Sequence, residues 1–152
     1  MAIEEGLCWT RDGERLFYRF QPGAAEKNLV LLLHGHGEHS GRYVKFFSRL
    51  EDLECPIAAF DLRGCGRSSG TPVHVSTFQE YLNDVSDLAD FLGKKFGCRS
   101  SPLNLFGHSL GGLIATAWGR ANPQEVSKLI LSSPSFGVVL SRPLKVLVEG
   151  LN

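Results

Sequence analysis

The stretch LNLFGHSLGG, residues 103–112, decides how this chain is read. Its first four residues suit a short buried strand, and an apolar helical pattern runs from 110 to 121 behind it. Between the two, Gly107-His108-Ser109-Leu110-Gly111 matches G-x-S-x-G. The pentapeptide is informative only in this strand–turn–helix setting, where it lifts a serine hydroxyl out of the sheet on a sharp turn. Backbone at such a turn is strained. Residues two positions either side of the serine approach each other, so side chains there would clash. Gly107 and Gly111 remove those side chains, and Gly112 allows the helix to pack closely. Ser109 is therefore the candidate catalytic nucleophile. The helix that follows turns its first N–H groups and its positive end toward the reacting centre, which makes the Leu110 amide a candidate oxyanion donor.

Outward from that motif, 29–33 and 56–60 are apolar runs that suit strands buried on both faces, and 126–131 reads as another. Near the N-terminus, 7–10 and 15–20 bracket Asp12-Gly13, a hairpin signal. Tyr43, Val44, Phe46, Phe47, Leu50 and Leu53 recur at helical spacing. Ser76 with Gln79 matches a capping box. Behind it Phe78, Tyr81, Leu82, Val85, Leu88, Ala89, Leu92 and Phe96 form one face of a long amphipathic helix that Gly97 closes. Strands alternating with helices predict an α/β fold with a mostly parallel sheet and helices on both faces. Ligands of such sheets sit beyond the carboxyl ends of the strands. The loops after residues 33, 60 and 106 emerge there, and they hold all the chemically suggestive side chains.

The first of those loops is His34-Gly35-His36-Gly37-Glu38-His39. Its glycines let the amide of His36 face a substrate carbonyl oxygen, as the second oxyanion donor. His34 is expected to hydrogen-bond neighbouring loops. His39 and Glu38 read equally as substrate contacts or as solvated groups. A metal reading of the three histidines fails on spacing, because a loop-borne H-G-H lacks the face of a helical H-E-x-x-H and no second ligand cluster exists. No metal or cofactor is expected.

The 152 residues carry a formal net charge of zero and 43% apolar residues. One domain with a sizeable core follows, and no electrostatic case for nucleic acid. The acidic N-terminus does not resemble a signal peptide, and no apolar run approaches a membrane span, so the expected setting is soluble and cytoplasmic. Cys8, Cys55, Cys65 and Cys98 have no close-spaced pair and read as free thiols.

HGHGEHSGRY (34–43), DLRGCGRSSG (61–70) and LFGHSLGG (105–112), in this order, resemble the monoacylglycerol lipase and lysophospholipase branch of the α/β-hydrolase superfamily, the serine aminopeptidase-like branch. The resemblance runs over nearly the whole chain. It implies an ester hydrolase acting on small-molecule acyl esters, with Ser109 as nucleophile and the His36 and Leu110 amides as oxyanion hole. It also implies a structural role for Asp61, and peripheral membrane contact through a cap. Cys65 stands where the family commonly has histidine. Residues 1–135 are expected to form the N-terminal part of the hydrolase core and 136–152 the start of the cap. After Ser109 the sequence holds no histidine and no aspartate. The triad acid and base are thus expected outside these residues. The alternative is a truncated, catalytically incompetent fragment, or a binding or assembly module of the same fold. Acyl-chain length, head group and oligomeric state are not legible in the sequence.

Overall fold

The computed structural model describes residues 2–97 and 102–137. The expected cap start therefore lies outside the described residues, apart from Phe136 and Gly137, and so does Cys98. Cys8, Cys55 and Cys65 are free thiols.

Six strands form one sheet: β1 (Glu4–Trp9), β2 (Arg15–Gln21), β3 (Val30–Leu33), β4 (Ile57–Phe60), β5 (Leu103–His108) and β6 (Val126–Ser132), in the order β1-β2-β4-β3-β5-β6. β1 and β2 are an antiparallel hairpin, and β2 pairs antiparallel with β4. The pairs β4–β3, β3–β5 and β5–β6 are parallel. The hairpin turns where Thr10 donates its N–H to Glu14 O and Gly13 adopts φ +90°, a value glycine reaches without a Cβ penalty.

Side chains of the central strands alternate between two cores. Leu31, Leu33, Ala58, Phe60 and Leu105 face one side, where they meet α2 (Phe78–Phe96) and α3 (Leu110–Ala121). Val30, Leu32, Ile57 and Ala59 face the other and meet Phe47 of α1 (Val44–Arg49). The sheet thus carries helices on both faces. Trp118 of α3 is fully buried, and its Nε1–H donates to Ser86 Oγ of α2 at 2.8 Å, which ties the two helices together.

Three local expectations are corrected. The helix cap is Thr77, one residue after Ser76, and its N–H donates to Glu80 Oε1 at 3.0 Å. Thr77…Glu80 and Ser76…Gln79 both fit the capping pattern; the charged carboxylate makes the stronger bond. The helical spacing of 43–53 does not yield one helix. It yields a 3₁₀ turn over Ser40–Tyr43, the short α1, and a second 3₁₀ turn over Glu51–Leu53 that ends with Glu54 at φ +54°. Finally, β6 is not buried: Leu129, Ile130 and Leu131 are 39%, 45% and 38% exposed. Its apolar run reads like a central strand, yet β6 is the last strand of the sheet among the described residues.

Candidate active site

Ser109 sits between β5 and α3 at φ 52°, ψ −117°, a strained region for a side-chain-bearing residue. The surroundings hold it there. Its N–H donates to Ser132 O at 3.0 Å, and its own carbonyl accepts the N–H groups of Gly112 at 3.0 Å and Ser135 at 3.1 Å. The glycines are sterically required. A Cβ at Gly107 would lie 2.5 Å from Gly111 O, and one at Gly111 would lie 2.2 Å from Leu33 O. The Ser109 hydroxyl is half-buried and has the Ser135 hydroxyl 3.3 Å away. Leu110 opens α3, so its N–H belongs to the first turn, which has no intrahelical acceptor.

The 34–39 loop packs directly on this elbow. A Cβ at Gly35 would come within 3.2 Å of both Ser109 Cβ and His108 Cδ2. His36, the next residue, is exposed, and Gly37 takes φ +66° in open space. The loop therefore packs against Ser109, with His36 and Leu110 on the two segments that flank it.

His34 is fully buried, and both ring nitrogens are occupied. Nε2 accepts the Leu62 N–H at 2.9 Å, so Nδ1 carries the proton and donates to Gly35 O at 2.7 Å. Burial lowers its pKa, which keeps the ring neutral. The expected loop-bracing role is what the structure shows, and neither nitrogen is free to take a proton from Ser109. His108 is also turned aside: its Nδ1–H donates to Ser132 O at 3.0 Å.

Glu38 is a brace that sequence reading left undecided. Its Oε2 accepts the Gly35 N–H at 3.1 Å and the Tyr43 hydroxyl at 2.9 Å, and Arg42 pairs with Oε1 at 3.1 Å. Burial works to raise its pKa, but these donors and the Arg42 charge outweigh it and hold the carboxyl below its ordinary value. Glu38, Arg42, Tyr43, Phe106, His108 and Ser132 line a cleft of about 250 Å³ beside the elbow. Asp61 is buried, its carboxylate committed to backbone N–H groups of Ser40 and Arg67. Burial pushes the Cys65 thiol up, so it is a poor nucleophile.

Sequence reading missed the charged cluster behind the site. Arg63 Nε donates to Asp84 Oδ2 at 2.7 Å, and Nη1 reaches Asp12 at 2.9 Å and Glu80 at 3.1 Å. This joins the hairpin turn, α2 and the loop after β4. The available signal was Asp84, an acid within the apolar stripe of α2.

The chain matches the family model described as Serine aminopeptidase, S33, over residues 24–152. It is 36% identical over 146 residues to mouse (Mus musculus) monoglyceride lipase, covering 92% of this chain and 46% of that protein. It is 31% identical over 128 residues to a Bacillus subtilis phospholipase, covering 82% of this chain and 48% of that protein. Among solved structures, the monoacylglycerol lipase of Paleococcus ferrophilus superposes with a TM-score of 0.68 at 27% identity, over 99% of this chain and 51% of that one. The chain thus spans about half the length of the relatives it matches. The family match, the mostly parallel sheet and the Ser109 elbow agree: the chain belongs to the Serine aminopeptidase, S33 family of α/β-hydrolases.

Proposed function

We propose that the protein containing this chain hydrolyses acyl esters of glycerol or similar alcohols through an acyl-enzyme on Ser109. The observation that carries the reading is the backbone of Ser109, held at φ 52° between a strand and a helix with the 34–39 loop packed against its Cβ. Ser109 Oγ attacks the ester carbonyl as a general base takes its proton. The carbonyl oxygen becomes an oxyanion that the Leu110 and His36 amides stabilise. The alcohol leaves with a returned proton, and water releases the acid by the same steps in reverse. The polar cleft of Glu38, Arg42, Tyr43 and His108 suits an alcohol that carries further hydroxyl groups. The lipid-acting relatives support an acyl ester as substrate.

The base and its acid partner are not among these 152 residues on this reading. His34 and His108 are committed to other bonds, and no histidine or aspartate follows Ser109. That observation favours a second reading for the 152-residue polypeptide taken alone, a catalytically incompetent unit with a formed nucleophile and oxyanion loop. The test is turnover of a short activated ester. In the native protein Ser109→Ala should reduce it by several orders of magnitude with the fold retained, and near-parental turnover would refute the assignment. The isolated polypeptide should show no turnover at the 1–1,000 per second common to enzymes.

A further inference from the structure

The end of β4 places two successive residues, Asp61 and Leu62, against the two ends of the 34–40 loop. Leu62 N–H donates to His34 Nε2 at 2.9 Å at the start of that loop. The Asp61 carboxylate takes the far end: Oδ1 accepts the Ser40 N–H at 2.6 Å and the Ser40 hydroxyl as well. Asp61 is 1% exposed and Ser40 is fully buried.

From Asp61 the contacts form a closed circuit. Oδ2 accepts the Arg67 N–H at 2.8 Å. The Arg67 guanidinium donates to Glu5 at 2.9 Å, and Glu5 pairs with Arg19 Nε at 3.1 Å. Arg19 Nη1 then donates to the Ser40 hydroxyl and lies 3.9 Å from Asp61 Oδ1. The Phe17 ring fills the circuit, with the Arg67 and Arg19 guanidinium carbons 3.8 and 4.7 Å from its centroid. Gly66, at φ +53°, leaves room for this arrangement, since a Cβ there would sit 2.1 Å from Asp61 Oδ2.

We propose that Asp61, with Ser40 and Arg19, is a positioning unit that fixes the 34–40 loop in register for transition-state stabilisation, and that the β1–β2 hairpin is coupled to the oxyanion loop through Arg19. The inference rests on the reading that His36 donates to the oxyanion. The physical argument is one of constraint. A loop with two glycines has many conformations, and an oxyanion donor acts only if it is held where charge develops. Pinning both ends to two adjacent residues that directly follow β4 removes most of that freedom. The Ser40 anchor is a charge-assisted bond in a buried site, stronger than a neutral bond.

The experiment uses the native protein that contains this chain, with parent, Asp61→Asn, Ser40→Ala, their double variant and Ser109→Ala. kcat and KM are measured on a short activated ester, together with affinity for a trifluoromethyl ketone and the thermal midpoint. Asn turns an NH₂ group toward donors that need an acceptor. Asp61→Asn should lower kcat by about ten- to a hundredfold, below the roughly hundred- to thousandfold loss that follows outright removal of an oxyanion donor, with KM little changed. Trifluoromethyl ketone affinity should fall in step with kcat/KM. Ser40→Ala keeps the backbone N–H bond to Asp61 but loses the hydroxyl's bonds to Asp61 and Arg19, and should lower kcat by about five- to tenfold. The double variant should be no worse than Asp61→Asn alone, the signature of one shared unit. Unchanged kcat in folded Asp61→Asn, or a loss confined to KM or to the thermal midpoint, overturns the proposal. If Asp61→Asn does not fold, the same criteria applied to Ser40→Ala decide it. Retained activity in Ser109→Ala would refute the underlying reading and is distinguishable from either result.

Discussion

Two glycines of α3 should respond to alanine with opposite sign. At Gly111 the added Cβ would stand 2.2 Å from Leu33 O and 2.6 Å from His34 O, both backbone atoms. An ordinary carbon–oxygen contact is about 3.3 Å, so the first turn of α3 and the end of β3 must part by about 1 Å. Overpacking by one methyl group usually costs about 1–3 kcal/mol. Here no side chain can rotate away, which puts Gly111→Ala at about 3 kcal/mol or more. At roughly 2–4 °C per kcal/mol for a chain of this size, the midpoint should fall by about 6–12 °C. At Gly119, the Cβ would meet only Val126 Cγ2 at 3.4 Å, an ordinary contact. Gly119→Ala should therefore gain up to about 1 kcal/mol of helix propensity. Urea unfolding followed by circular dichroism, on both variants and the parent, measures the two signs. Gly111→Ala within about 0.5 kcal/mol of the parent would refute the steric account of the elbow, as would a destabilised Gly119→Ala.

Two further outcomes concern buried charge. Because His34 is neutral in the fold and its unfolded pKa is near 6.5, the unfolded chain binds the extra proton first on acidification, so parental stability should fall below pH 6.5. The slope from this group is at most about 1.4 kcal/mol per pH unit, and His34→Gln should lose that component in parallel urea titrations; an identical pH profile would refute the assignment. Arg63→Met strands Asp84, whose side chain is fully buried, and should cost about 3–5 kcal/mol. Burial already pushes Asp84 up to about 6 against the pull of Arg63, so the folded state favours the protonated acid over a range where the unfolded chain has released it. The Arg63→Met penalty should therefore be larger at pH 8 than at pH 5, and the reverse order, read from unfolding curves, would contradict this.

The sequence was most informative where one residue type satisfies a unique steric demand. Gly107, Gly111 and Gly112 are legible as elbow glycines because close packing excludes side chains there, and the structure shows those contacts. The bracing role of His34 was also legible, since a histidine ending a buried strand must find partners. Where two local patterns competed, sequence could not arbitrate: Ser76…Gln79 and Thr77…Glu80 are equivalent on paper, and the second prevails. The apolar run of Leu129, Ile130 and Leu131 suits a strand with neighbours on both sides, and these residues are half-exposed where β6 is the last strand among the described residues. The Asp61–Ser40 and Arg63–Asp84 contacts each join residues 21 apart, and nothing in local composition announces either pairing.

The β6 strand bears on the chemistry as well as on the fold. Ser132 O, at its end, accepts both the Ser109 N–H and the His108 Nδ1–H, each at 3.0 Å. Three residues on, Ser135 N–H returns to Ser109 O, and the turn between them contains Ser133 at φ 46°. Two positive-φ serines thus sit in neighbouring segments that are tied together by the bonds Ser109 makes to Ser132 and Ser135. Strain of this kind costs about 1–3 kcal/mol per residue and persists only where surrounding structure over-determines it. The β5–β6 pairing, which runs in register from Asn104↔Lys128 to His108↔Ser132, supplies that determination. The geometry of Ser109 is therefore set by the last strand of the described sheet as much as by the glycines of its own motif. On the proposed mechanism, these residues hold the group that attacks and the loop that receives the charge, and the proton acceptor must come from elsewhere.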